Sequence, residues 1–366
     1  MKSGSDDLRI NITPKPLLKI NGIPIIRRTV EELNSDNIAV AIVVNQADKE
    51  LFDMELAGLK FEYYYQNSPS GTAYALWAAR QFISEDMFAV FMGDDIFDYH
   101  ELNLTNIAEP TIFAYQHYDC LNFGRLELDG DGYARRILEK EKGGKGLVNT
   151  GIYVMPKEFF HIFPMITINP SSGEYYLTEA IPQLYKIGQG LRVRSIGTWK
   201  GINFPTDLVE ANSFLNNKFR IRLARLSDLS AIVKILYQLN PDIPSQHYNF
   251  TRALETLQKI IDEENYYLLV AELNKNIIGT ATMLIQENLT HDARPYAHIE
   301  NVVTDVSFRK KGIGSLLIRE LLKVAKNLYC YKIILNCTTQ NSKFYEKSGF
   351  IPTNEIEMRI EFNDMP

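Results

Sequence analysis

One stretch constrains this chain more than any other, the run from His298 to Leu317. An apolar, β-branched segment around Val302 and Val303 gives way to the basic glycine loop Arg309, Lys310, Lys311, Gly312, Ile313, Gly314. An amphipathic helix pattern follows, through Leu316, Leu317, Leu321, Leu322 and Val324. Strand, basic glycine loop, then helix presents free backbone N–H groups at a helix N-terminus. The helix dipole favours an anion there, glycine lets the backbone approach closely, and Arg and Lys add charge. The spacing predicts a pyrophosphate site.

The segment resembles the acyl-CoA-binding core of GNAT N-acetyltransferases. The match continues through Cys330 to Cys337 and from Asn341 to Phe350, which looks like the glucosamine-6-phosphate N-acetyltransferase branch. The resemblance implies acetyl-CoA with its pyrophosphate on Arg309–Gly314, its pantetheine along Val302 and Val303, and Asn341 bonding the CoA arm. It implies that Tyr345 donates to the CoA sulfur and that Glu300 orients the amine or relays its proton. Asn301 and Asn336 stand where the branch usually carries acids, so the amine is left open between an aminosugar phosphate, a polyamine and a protein. No acyl-cysteine is expected, and Cys330 and Cys337 are expected to be buried.

Composition bounds the rest. At 366 residues with 45% apolar side chains, two α/β domains are the natural expectation, 1–217 and 218–366. A formal charge of −6 argues against nucleic acid as a partner. No apolar run approaches the ~20 residues of a membrane helix. Three cysteines without metal spacing fit a reduced, cytoplasmic setting.

In the first half, apolar runs at 38–44, 88–91, 111–115 and 147–154 alternate with helical patterns. They predict a Rossmann-like domain with a mixed, mostly parallel sheet. Lys15 between Pro14 and Pro16 is expected on a stiff, extended backbone, as a fixed cation for phosphate. Gly71 and Thr72 open a helix whose N–H groups can read a base edge or an anion. Asp94 follows a buried strand, where α/β sheets bind ligands, and is a candidate Mg²⁺ ligand. Asp95 and Asp98 read as solvated loop charges. The run from Asp129 to Gly132 reads as a hairpin turn.

Together, residues 12–215 resemble sugar-phosphate nucleotidyltransferases of the N-acetylglucosamine-1-phosphate uridylyltransferase type. The resemblance implies Gln66, Gly71 and Thr72 near the base, Lys15 at the phosphates, and Asp94 with Asn203 on Mg²⁺. It sets Gly124, Glu139 and Asn149 around the sugar. The family begins with a strand and a loop close to G-x-G-T-R-L, where this sequence has Met1 to Arg9 with Asp6 and Asp7. The expected function is therefore an acetyl-CoA-dependent N-acetyltransferase of an aminosugar phosphate. It is fused to a domain that forms UDP-N-acetylglucosamine from UTP, or that binds a sugar nucleotide as a non-catalytic regulator. The glucosamine-phosphate branch also implies a homodimer.

Overall fold

The computed structural model describes residues 13–68, 70–139, 143–203, 207–208, 211, 219–239, 249–354, 356, 358 and 360. The N-terminal run Met1 to Arg9 and residues 240–248 lie outside the described residues. The chain divides into two compact units, Met1–Leu223 with Glu272–Lys275, and Ala224–Ala271 with Asn276–Pro366.

The first unit opens with a short hairpin, β1 (Lys19–Ile20) and β2 (Ile23–Pro24). Helix α1 (Ile25–Ser35) follows, then β3 (Ala41–Val44), α2 (Lys49–Glu55) and β4 (Glu62–Tyr65). Here β3 and β4 pair in parallel. Val30 of α1 and Phe52 of α2 bury against Ile42 and Val44. Each such burial stabilises by roughly 1.5–3 kcal/mol. Next come α3 (Thr72–Ala78), β5 (Met87–Phe91) and β6 (Asp95–Phe97).

Four successive strands then follow: β7 (Thr111–His117), β8 (Gly124–Leu128), β9 (Tyr133–Glu139) and β10 (Gly146–Pro156). Helices α4 (Phe159–Ile162) and α5 (Ile181–Lys186) lead to β11 (Leu191–Ile196) and β12 (Trp199–Gly201). The central sheet has the order β5–β10–β7–β11–β9–β8. Strand β7 is buried on both faces. Ile112 and Ala114 join one core layer with Tyr153, Phe159 and Leu184, while Phe113 and Tyr115 join another with Ile152 and Trp199.

The expectation of a mostly parallel sheet is corrected. Within this sheet β7 and β11 are parallel, and the other described pairings are antiparallel. Between residues 111 and 156 the described residues hold no α-helix and β8 and β9 form a hairpin, so no βαβ crossover forces parallel pairing there. The turn at Asp129 is a hairpin, as read. The Asp129 carboxylate accepts the Asp131 and Tyr133 N–H groups, and Gly132 takes a φ of +86°.

The first unit also takes in β13 (Phe219–Leu223). The second unit carries α6 (Leu229–Leu236), α7 (Phe250–Asp262), β14 (Tyr266–Leu273) as far as Ala271, β15 (Asn276–Gln286) and β16 (Tyr296–Thr304). Then come α8 (Ile313–Asn327), β17 (Ile333–Leu335) and α9 (Thr339–Glu346). Strands β14, β15, β16 and β17 lie side by side in that order. Leu229, Ile232 and Leu257 of α6 and α7 pack on Leu268 and Val270 of β14. Helix α8 buries Ile313, Leu317, Leu321 and Val324 at helical spacing. Gly279 of β15 lets it close in, since a Cβ there would lie 3.1 Å from Ile313 Cγ2. Among the described residues, no helix is long and apolar enough to cross a membrane.

Candidate functional site

In the first unit the site residues come from the ends of strands. Lys15 does not lie on extended backbone as expected. It starts a 3₁₀ turn, Lys15–Leu17, closed by the Leu17 N–H on the Pro14 carbonyl. That turn lies against the loop after β5, because a Cβ on Gly93 would meet Pro16 Cγ at 3.0 Å. The packing brings Lys15 Nζ to 3.9 Å from Asp94 Oδ2. Burial raises the Asp94 pKa, and the Lys15 charge opposes the rise.

Asp95 is not a solvated loop charge. It begins β6 opposite Gly201 of β12, and burial holds its carboxyl well above the usual range, with the Asp94 charge adding to the rise. Asp98 is exposed and caps the next turn by accepting the His100 N–H.

Gln66, Gly71 and Thr72 are brought together. Gln66 Nε2 donates to the Gly71 carbonyl at 3.1 Å, and Thr72 Oγ1 accepts the Leu177 N–H at 2.9 Å. Gly71 has a φ of +94°, and a Cβ there would fall on the Tyr175 backbone. Gly124 pairs with Glu139 in the β8–β9 register, with a Cβ position 3.2 Å from Glu139 Oε1. Asn149 sits where the β10–β7 register shifts. It donates to the Tyr153 hydroxyl at 2.6 Å and accepts the Gly151 N–H at 3.0 Å. The Met92 N–H in turn donates to the Gly151 carbonyl, so this bulge abuts the Asp94 loop.

Asn203 lies two residues beyond Gly201, at the same end of the β6–β12 pairing as Asp94. Its own N–H donates to Asp207 Oδ2 at 2.8 Å. A half-buried carboxylate with one lysine near it, and an amide at the same strand end, are hard oxygen donors of the kind Mg²⁺ takes. Among the described residues there is no group of three or more His, Cys, Asp or Glu side chains that would hold a metal by protein ligands alone.

In the second unit the site is built around a bulge. Strand β16 sets Glu300 opposite Thr282 and Val303 opposite Thr280, so it carries one residue more than β15 across that interval. Asn301 takes the extra turn with a φ of +53°, a left-handed conformation that asparagine tolerates. On the other edge β17 pairs in parallel from Ala297 to Ile299 and no further. The strands part where Glu300, Asn301, Val302 and Val303 follow.

After β16, Asp305 caps a turn by accepting the Ser307 N–H. Gln238 bonds both the Asp305 carboxylate and the Val306 N–H, fixing the loop from α6. Arg309, Lys310, Lys311 and Gly312 are exposed, and Lys310 and Gly312 take φ of +60° and +85°. Gly312 then opens the long helix α8, whose first N–H groups have no acceptor within the helix.

Helix α9 packs across that N-terminus, with a Cβ position on Gly314 3.1 Å from Phe344 Cζ. This places Asn341, exposed, and Tyr345, half-buried, on the helix beside the glycine loop. Burial raises the Tyr345 pKa, so the phenol keeps its proton. Glu300 is largely exposed, with His298 Nε2 at 3.7 Å from its Oε1. Asn336 is exposed beyond the end of β17. The expected burial of the two cysteines is corrected. Cys337 is exposed and Cys330 half-buried, because β17 ends at Leu335 and Cys330 precedes it in a turn.

These two sites meet two family models. Residues 10–218 match the nucleotidyl transferase family, and residues 233–350 match the acetyltransferase (GNAT) family. Over 147 residues the chain is 31% identical to glucosamine 6-phosphate N-acetyltransferase 1 of Oryza sativa, covering 39% of this chain and 87% of that one. The chain belongs to the nucleotidyl transferase family and, in its second unit, to the GNAT acetyltransferases. It is also 31% identical over 205 residues to the bifunctional protein GlmU of Methanococcus aeolicus, covering 55% of this chain and 49% of that one. The chain thus spans about half the length of the GlmU relatives it matches. The crystal structure of glucosamine-6-phosphate N-acetyltransferase from Arabidopsis thaliana is 27% identical, with a TM-score of 0.36, covering 40% of this chain and 99% of that one.

Sequence reasoning missed Asp95, Gln238 and His298. His298 had a signal, two residues before Glu300 on one face of a strand. Asp95 and Gln238 had none, since their partners are remote in sequence.

Proposed function

We propose that the second unit transfers an acetyl group from acetyl-CoA to the amine of glucosamine 6-phosphate. We further propose that the first unit joins UTP to N-acetylglucosamine 1-phosphate. The observation that carries the acetyl-transfer reading is the parting of β16 from β17 at Ile299, beside the glycine-capped N-terminus of α8. A thioester arm laid along the free edge at Val302 and Val303 directs its pyrophosphate to Arg309–Gly314. The amine nitrogen attacks the thioester carbon, the carbon–sulfur bond breaks, and Tyr345 protonates the departing thiolate. Glu300 receives the ammonium proton. The name of the rice relative supports the acceptor.

In the first unit a phosphate oxygen of the sugar attacks the α-phosphorus of UTP, and pyrophosphate leaves. Lys15 faces the phosphates. Gln66, Gly71 and Thr72 hold the base, and Gly124, Glu139 and Asn149 hold the sugar. Asp94 and Asn203 would hold Mg²⁺, which would supply charge neutralisation at the phosphates. Ile351, Ile356, Met358 and Ile360 are each at least 79% exposed, which supports a homodimer that covers them.

The acceptor is tested by offering deuterated acetyl-CoA with glucosamine 6-phosphate, spermidine or a lysine peptide, and weighing the products. Labelled N-acetylglucosamine 6-phosphate is expected. Acetylation confined to spermidine or the peptide overturns the aminosugar acceptor.

A further inference from the structure

Asp95 is a half-buried acid that neither proposed reaction uses. Its two carboxylate oxygens face two different strands. A Cβ on Gly151 would lie 2.9 Å from Asp95 Oδ2, and a Cβ on Gly201 would lie 3.2 Å from Asp95 Oδ1. Both neighbours are glycine, and a Cβ at either would press on the carboxylate, together with Met92 at Gly151 and Trp199 at Gly201. Gly151 has a φ of +71° and closes the β10 bulge that starts at Asn149. Gly201 pairs with Asp95 across β6 and β12, and Asn203 follows two residues later. Trp199, on the same strand as Gly201, donates its Nε1–H to the Thr150 carbonyl at 3.1 Å, tying β12 to the same bulge.

The carboxylate therefore stands between the strand that carries Asn149 and the strand that leads to Asn203. Asp94 precedes it by one residue. We propose that Asp95 is a positioning residue of the first unit, fixing the spacing of Asp94 and Asn203 for a divalent cation and locking that pair to the sugar-side bulge. Groups that hold metal ligands from behind in this way typically change metal affinity by about 10–100-fold when removed. The inference rests on the reading of Asp94 and Asn203 as the cation's ligands.

The test is Mn²⁺ binding to the full chain, read as loss of the free-ion electron paramagnetic resonance signal. Saturating UDP-N-acetylglucosamine is present, and the same solution without protein is the blank. Asp95→Asn is expected to weaken Mn²⁺ binding about tenfold or more, Asp94→Asn to abolish it, and Asp98→Asn, an exposed cap, to leave it unchanged. Wild-type affinity in a folded Asp95→Asn protein overturns the inference and leaves the cation site standing. No Mn²⁺ binding by the wild type overturns the cation site and the inference with it. Should circular dichroism show that Asp95→Asn does not fold, Gly201→Ala decides instead, because it keeps the carboxyl group and crowds it. A tenfold weakening there supports the role, and unchanged affinity overturns it.

Discussion

Gly71 holds its place through geometry that no other residue supplies. Its φ is +94°, and the Tyr175 backbone occupies the space where a Cβ would project. Gly71→Ala is expected to lower the stability of the first unit by about 2 kcal/mol or more, read from its denaturation midpoint, and to weaken uridine nucleotide binding. An unchanged midpoint would show that the Tyr175 segment moves aside freely. Glu272 makes a different kind of prediction. It is buried between Arg220 and Arg222, with Arg222 Nε donating at 2.7 Å. Burial alone would raise its pKa, but the two guanidiniums outweigh it and hold the carboxyl below its ordinary 4.5. A depressed acid contributes stability in full above its unfolded value and loses it as pH falls through the folded one. Glu272→Ala should therefore cost about 3–5 kcal/mol at pH 7, and the gap to wild type should narrow as pH drops below 4.5. Urea midpoints of both proteins at pH 7 and pH 4 measure it, and a gap that widens in acid contradicts the pairing.

At the scale of elements, the bulge in β16 is the part on which acetyl transfer depends most. It turns the strand at Asn301 and coincides with the end of β17 pairing at Ile299. Asn301→Gly should keep the turn and the acetyl-transfer rate. Asn301→Val places a β-branched residue at positive φ, a strain of about 1–2 kcal/mol, and should raise the KM for acetyl-CoA as the strand straightens. Equal kinetics for the two variants would mean the bulge does not shape the thioester site. The loop and helix around Gly312 were legible in the sequence, because glycine spacing, basic charge and helical periodicity all act locally. The bulge was not, since a register shift depends on the partner strand. The first unit's sheet went the same way. Apolar runs at 111–115 and 147–154 mark strands reliably, yet whether they run parallel depends on what connects them. Here the described connections carry no helix, and β8 and β9 form a hairpin. Lys15 likewise was read on an extended backbone and lies in a turn, because Pro14 and Pro16 close a turn as readily as they extend a chain.

At the scale of the whole molecule, two transferase families share one chain, and both were readable from motifs because each family's site is concentrated in short loops at strand ends. The packing behind those loops was not readable. Asp95 between two glycines, and Gln238 reaching from the turn after α6 to Asp305, join residues that the sequence sets far apart. The central claim is that the chain carries two separate chemistries. The most direct test incubates the purified chain in two vessels, one with glucosamine 6-phosphate and acetyl-CoA, the other with UTP, Mg²⁺ and N-acetylglucosamine 1-phosphate. Release of free CoA thiol in the first vessel and of pyrophosphate in the second is the predicted result. Thiol release with no pyrophosphate, under conditions where the sugar nucleotide still binds, would contradict the account and leave the first unit as a binding domain.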